Sequence, residues 1–197
     1  MTSHSTTHED EFRAGRELSL DHRKLGMWLF LASEVMFFGG LIGTFLHYKA
    51  TVPSPEAAEL DTVLVGINTF ILVTSSLMVV LGLDSIRRGS RRGLLTYLGL
   101  TALLGAVFLG GQGYEFVSLY GHGITLTSSV FGSSFFTLTG FHGLHVLIGV
   151  AWALLTLGKA LRGKYSAQDH VGVEAFGLYW HFVDIVWIVL FTIIYLI

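Results

Sequence analysis

Six ionisable side chains lie inside long apolar stretches of this 197-residue chain: Glu34, Glu115, Asp184, His142, His145 and His181. Ionisable groups at membrane depth cost at least a few kcal/mol each, so they are retained where they do something. His142 and His145 are three residues apart, as are His181 and Asp184, which puts each pair on one face of a helix. Metal ligation is the first chemistry to test. Di-iron bundles use Glu-x-x-His repeats, and none of Glu34, Glu115 or Glu174 is followed by such a histidine. Axial haem ligation needs facing histidines at one depth. At ~1.5 Å per residue, His142 or His145 differs from His181 by several ångströms. The chain has no cysteine, so it holds no disulfide, iron–sulfur cluster or thiolate copper site of its own. The expectation is therefore a chain without a metal site, whose interior polar groups bond one another or handle protons.

Glu34 stands apart. It lies in Ala32-Ser33-Glu34-Val35-Met36-Phe37-Phe38, where only Ser33 and, from another stretch, Asn68 offer help. An ionised carboxylate there is expensive, so it is expected either neutral or shared with a neighbouring helix, with His142 or His145 as partner. Glu34 and Asp184 fall about 12–15 Å from one membrane surface, with His145 a little deeper and His181 shallower. Glu115, His142 and Asp184 read as hydrogen-bonding contacts between helices.

These residues must be positioned by membrane helices. The chain is 52% hydrophobic and only 13% charged, against about a quarter charged in an ordinary soluble domain. Apolar runs cover 25–48, 62–83, 94–117, 129–158 and 176–197, each long enough at ~20 residues to cross a ~30 Å hydrocarbon core. The predicted fold is an all-α integral membrane protein of five transmembrane helices, with a tail over 1–24 and one bundle over 25–197. Of twelve Lys and Arg, eleven fall in the tail and in the second and fourth connections. The positive-inside rule then places the N-terminus in the cytoplasm and the C-terminus outside. A net charge of −2, with basic residues only in short clusters, argues against nucleic acid as a partner. Gly39 with Gly43, the series Ala102, Ala106, Gly110, and Gly149 with Ala153 have the four-residue spacing of close helix contacts.

The motifs Ser33-Glu34-Val35-Met36-Phe37-Phe38, Gly111-Gln112-Gly113-Tyr114-Glu115, Phe131-Gly132-Ser133-Ser134-Phe135-Phe136, Thr139-Gly140-Phe141-His142-Gly143-Leu144-His145-Val146 and Tyr179-Trp180-His181-Phe182-Val183-Asp184-Ile185-Val186-Trp187 occur in one order. Together they resemble cytochrome c oxidase subunit III, in the shorter bacterial form that lacks the first two helices. The segment Glu174-Ala175-Phe176-Gly177-Leu178 departs from the family's usual small-residue run.

The resemblance implies a non-catalytic subunit of a proton-pumping haem-copper oxidase in the bacterial cell (inner) membrane. Its partners would be the catalytic subunit I and subunit II, which carry the haem and copper, with cytochrome c reached indirectly and a respiratory supercomplex compatible. It implies bound phospholipid, with contacts at Trp28, Glu34, His142, His145, Tyr179 and His181, and support of proton uptake, with Glu34, His142, His145 and Asp184 as the buried polar residues. Three alternatives remain at this stage: the third subunit of a quinol oxidase or nitric oxide reductase, a small proton-coupled transporter, and a haem-bearing quinone-reactive protein.

Overall fold

A computed structural model describes residues 22–197, with side chains from Leu25 onward. Five long helices account for nearly all of it: α1 His22–Thr51, α2 Thr62–Arg87, α3 Arg91–Gly121, α4 Val130–Leu161 and α5 Val171–Phe191. A short 3₁₀ turn, Pro55–Glu59, joins α1 to α2, and α5 continues as a π-helical turn over Thr192–Leu196. All five are long and apolar enough to cross a membrane, so the chain is a multi-pass membrane protein. The tail expected over 1–24 lies outside the described residues, except that His22–Lys24 already belong to α1.

The helix ends follow local chemistry. Asp61 accepts from the amides of Val63 and Leu64 at the start of α2, and Ser90 and Ser129 cap α3 and α4 in the same manner. Gly89, Gly123 and Gly163 take positive φ of 78°, 80° and 71° just past α2, α3 and α4. Glycine alone enters that region at no steric cost, and this is how helices commonly stop. Arg91, at the head of α3, donates to the carbonyls of Ala160 and Leu161 at the tail of α4.

Helices α2, α3, α4 and α5 form a closed ring in which each packs on the next, and α1 lies outside it against α4 and α5. The ring is built around two tryptophans of α5, two turns apart. The Trp180 indole is fully buried and donates through Nε1 to Ser75 of α2 at 2.9 Å. Its ring fills space left by two glycines: a Cβ on Gly105 of α3 or Gly149 of α4 would stand 2.7 or 2.6 Å from it. Trp187 repeats the scheme by donating to Thr69 of α2 at 2.9 Å, meeting Phe108 of α3 edge-on at 4.9 Å and stacking on His142 of α4 at 4.7 Å. One helix thus touches three others through two side chains whose polar atoms are satisfied.

The small-residue series fare differently. Gly149 and Ala153 do lie in the core, and Ala102 is buried. Gly39, Gly43 and Gly110 have open space where a Cβ would stand; the close approaches are made by Gly105 and Gly111 of α3 and Gly143 of α4 instead. Four-residue spacing marks a narrow helix face but not whether another helix of the same chain meets it.

Helix α5 begins at Val171, five residues before the apolar run read from sequence. Glu174 is accommodated in its first turn by Arg87 at 2.7 Å and His170 at 3.3 Å.

Candidate functional site

Helix α1 buries a single stripe, Met27, Leu31, Phe38 and Phe45, at intervals of one or two turns. Glu34 sits on the edge of that stripe facing α4. Its Oε2 lies 3.2 Å from Nε2 of His145, and both side chains are largely but not wholly covered, at 17% and 13% exposure. The other ring nitrogen of His145, Nδ1, lies 2.7 Å from the Phe141 carbonyl. A carbonyl only accepts, so Nδ1 carries a proton. A hydrogen bond between Nε2 and the carboxyl group would need one further proton, carried either by a neutral Glu34 that donates to Nε2 or by a cationic His145 that donates to the carboxylate. Both forms leave the pair neutral as a whole, which suits its depth.

The surroundings hold this geometry. Tyr179 of α5 donates its hydroxyl to the His145 carbonyl at 2.9 Å, and Phe30 of α1 stacks on its ring at 6.3 Å. Phe38 meets the imidazole edge-on at 5.0 Å. Of the two helpers suggested for Glu34 by sequence, neither serves: Ser33 donates to the Phe30 carbonyl and Asn68 to the Phe108 carbonyl across the α2–α3 contact. Asn68 belongs to the ring, and α1 is outside it.

The remaining candidates separate into three places. His142 is fully enclosed between Trp187 and Phe108, with no hydrogen bond to either nitrogen among the described residues. It has no surface for a lipid to rest on, and the lipid contact expected of it is not carried forward. Asp184 is buried on the α2 side of α5, with the Ser76 hydroxyl of α2 as its neighbour. Ser76 also meets Nδ1 of His181. Glu115 is buried near the far end of α3 and accepts from the Tyr195 hydroxyl, in the π-helical turn, at 2.7 Å. That turn is tied down from the other side by Lys49 of α1, which donates to the Ile193 carbonyl at 2.8 Å.

Sequence reasoning passed over Ser76, Lys49, Tyr195 and the two tryptophans. Ser75-Ser76 interrupting an apolar run, and two tryptophans seven positions apart, are the signals that were available. Nothing local pointed to Tyr195, whose partner is on another helix.

Two grooves flank α5. One, of about 320 Å³, runs between α2 and α5 past Val79, Val80 and Leu83 to Arg87 and Glu174. The other, of about 410 Å³, lies between α1 and α5 and is lined by Trp28, Leu31, Val35, Phe182 and Ile185. Leu178 and His181 are common to both. Trp28 is 57% exposed, whereas Tyr179 is buried and turned inward. Among the described residues no three His, Cys, Asp or Glu side chains gather as a metal ion would need.

A multi-pass helical bundle with paired polar side chains at its helix seams, and grooves along its flank, is the class of protein that fold and site define. The chain matches the family described as cytochrome c oxidase subunit III over residues 7–197, and it belongs to that family. It is 43% identical over 179 residues to cytochrome c oxidase subunit 3 of Thermostichus vulcanus, covering 89% of this chain and 88% of that one. Against cytochrome c oxidase subunit 3 of Bacillus subtilis (strain 168) the identity is 42%, covering 87% and 84%. Cytochrome bo(3) ubiquinol oxidase subunit 3 of Pseudomonas aeruginosa is 39% identical, covering 87% and 83%. The chain is thus a subunit III of the haem-copper oxidase family, and this membership displaces the transporter and haem-protein readings.

Proposed function

We propose that this chain is the non-catalytic third subunit of a proton-pumping cytochrome c oxidase of the bacterial inner membrane. It stabilises the catalytic subunit, holds phospholipid and supports proton uptake. Haem and copper belong to subunits I and II, and the face where α1 begins is the cytoplasmic one. The observation that carries the proton reading is the 3.2 Å contact between an acid and a base, Glu34 and His145, on facing helices. Moving a proton across the 3.2 Å between them leaves such a pair neutral, whereas taking one up or releasing one puts a net charge on it, and that charge is spread over an acid and a base in place of a lone group at depth. The lipid reading is supported by the two grooves along α5. Their apolar walls suit acyl chains, and Arg87 and Trp28, near the ends of α2 and α1, are of the types that meet head groups and the interface.

The test is the Glu34→Ala enzyme, assembled with its partners. Its haem and copper spectra should match wild type, because no metal ligand is lost. Turnover should change in its pH profile, or the number of turnovers before inactivation should fall. If both match wild type while the subunit remains bound, Glu34 is a packing residue and the proton reading is wrong. The quinol oxidase reading is favoured by one observation, the 39% identity to a ubiquinol oxidase subunit. Supplying reduced cytochrome c or a quinol to the purified assembly decides between them.

A further inference from the structure

The hydroxyl groups of α2 are of two kinds. Thr69, Thr74 and Ser75 each donate to a carbonyl three or four residues earlier in their own helix, so their protons are committed. Ser76 instead reaches across to α5. Its Oγ lies 2.5 Å from Nδ1 of His181, and the carboxyl group of Asp184, one turn further along α5, is its other neighbour. Asp184 is 4% exposed, whereas His181 lines both grooves beside α5. One hydroxyl thus stands between a buried acid and a base at the flank of the bundle.

The order of the three groups decides their chemistry. In an acyl-transfer triad the imidazole is in the middle, oriented by the acid while it takes the hydroxyl proton. Here the hydroxyl is in the middle, and with one proton and two lone pairs it donates to one neighbour while accepting from the other. A protonated Asp184 donates to Oγ of Ser76, which donates to a bare Nδ1. Moving both protons one place along breaks an O–H bond on Asp184 and one on Ser76, and forms an O–H bond on Ser76 and an N–H bond on His181. Carboxylate, hydroxyl and imidazolium remain, with the net charge unchanged and no electrons exchanged. The two opposite charges are one hydroxyl apart, which lowers the cost of ionisation at depth. Nε2 of the imidazolium then gives its proton to a water or head-group oxygen in the groove. Neighbouring ionisable groups are engaged elsewhere: Glu34 of α1 faces His145 of α4, Asp84 and Arg87 of α2 meet Arg88 and Glu174, Lys49 of α1 holds the Ile193 carbonyl, and His142 of α4 stacks on Trp187.

We infer that Asp184, Ser76 and His181 form a proton relay across the α2–α5 contact, through which the buried carboxyl group is loaded and unloaded from the groove. The relay uses a different helix contact from Glu34 and His145, so either reading can fail without the other.

The test follows the Asp184 proton in the assembled oxidase by infrared spectroscopy on transfer into heavy water. The C=O stretch of a protonated carboxyl group that disappears in Asp184→Asn belongs to Asp184, and it shifts when the acid proton becomes deuterium. In the wild-type enzyme that shift should be complete while the backbone amides of α5 still hold protium. Ser76→Ala should slow it about a hundredfold and His181→Gln comparably, while Ser76→Thr, which keeps the hydroxyl, should restore it. A shift in Ser76→Ala as fast as in wild type overturns the inference. So does a wild-type band that shifts no faster than the α5 amides, and so does the absence of a protonated Asp184 band at every pH the enzyme tolerates. The two wild-type readings stand even where Ser76→Ala fails to assemble.

Discussion

The ring interior and the α1 seam place similar polar atoms at similar depth and use them differently. Around Trp180 and Trp187 each indole N–H has a fixed hydroxyl acceptor and two glycines make room for the Trp180 ring, so the polarity of the two indoles sets geometry. At the seam an acid and a base, Glu34 and His145, stand 3.2 Å apart, and both side chains keep some exposure. Rigidity comes from fully satisfied neutral donors, whereas responsiveness needs an acid and a base left partly open.

That contrast can be broken most severely in the ring. Trp180→Ala should destabilise the bundle by roughly 3–5 kcal/mol, and Gly149→Leu, which drives a side chain into the same indole, should be comparably damaging. Thermal unfolding in detergent, or loss of co-purification with partner subunits, reads the effect. If either variant melts like wild type, the ring is not organised around Trp180. A smaller loss is expected for Trp187→Phe, which keeps the stack on His142 and removes the bond to Thr69: about 1 kcal/mol. Thr69→Val should cost about as much, and the two together little more than one, so a double-mutant cycle measures the bond directly.

At the seam, stability should respond least and protons most. Glu34→Gln retains shape but cannot share a proton as an acid does. It should keep the melting temperature within a few degrees of wild type while altering the pH dependence of turnover; equal pH profiles would merge the two regions into one structural role. The smallest effect is expected at the far end of α1. Lys49→Met removes a cation from the carbonyl end of α5, worth about 0.3–1 kcal/mol, and should be seen as faster proteolysis of the last turn, with Lys49→Arg restoring protection.

Much of this was readable in the residues. Five apolar runs and their turn signals located the helices to within a few residues, and the absence of helper groups beside Glu34 pointed to a histidine of α4. The pairing of α1 with α4 and α5, not with its sequence neighbour α2, was not readable. Apolar faces in lipid lack the polar–apolar contrast that reveals orientation in water. For the same reason Gly39 and Gly43 looked like internal contacts, and Gly105, which matches Trp180, did not stand out. The start of α5 was placed late because Glu174 reads as a connection until Arg87, from another helix, is known to be its partner.

The position of α1 outside the ring bears on how the protein is made. Helix α1 is synthesised before the other four described helices, yet it packs mainly on α4 and α5, and 111 residues separate Glu34 from His145. Through the synthesis and insertion of α2 and α3 the first helix waits in the bilayer with its acid unaccompanied, and Tyr179 arrives only with the last helix. The ribosome thus delivers the seam in reverse order of need. Chains truncated before α4 should release α1 to chaperones or proteases that the completed bundle excludes, and protease sensitivity of such nascent fragments would show whether this waiting period is real.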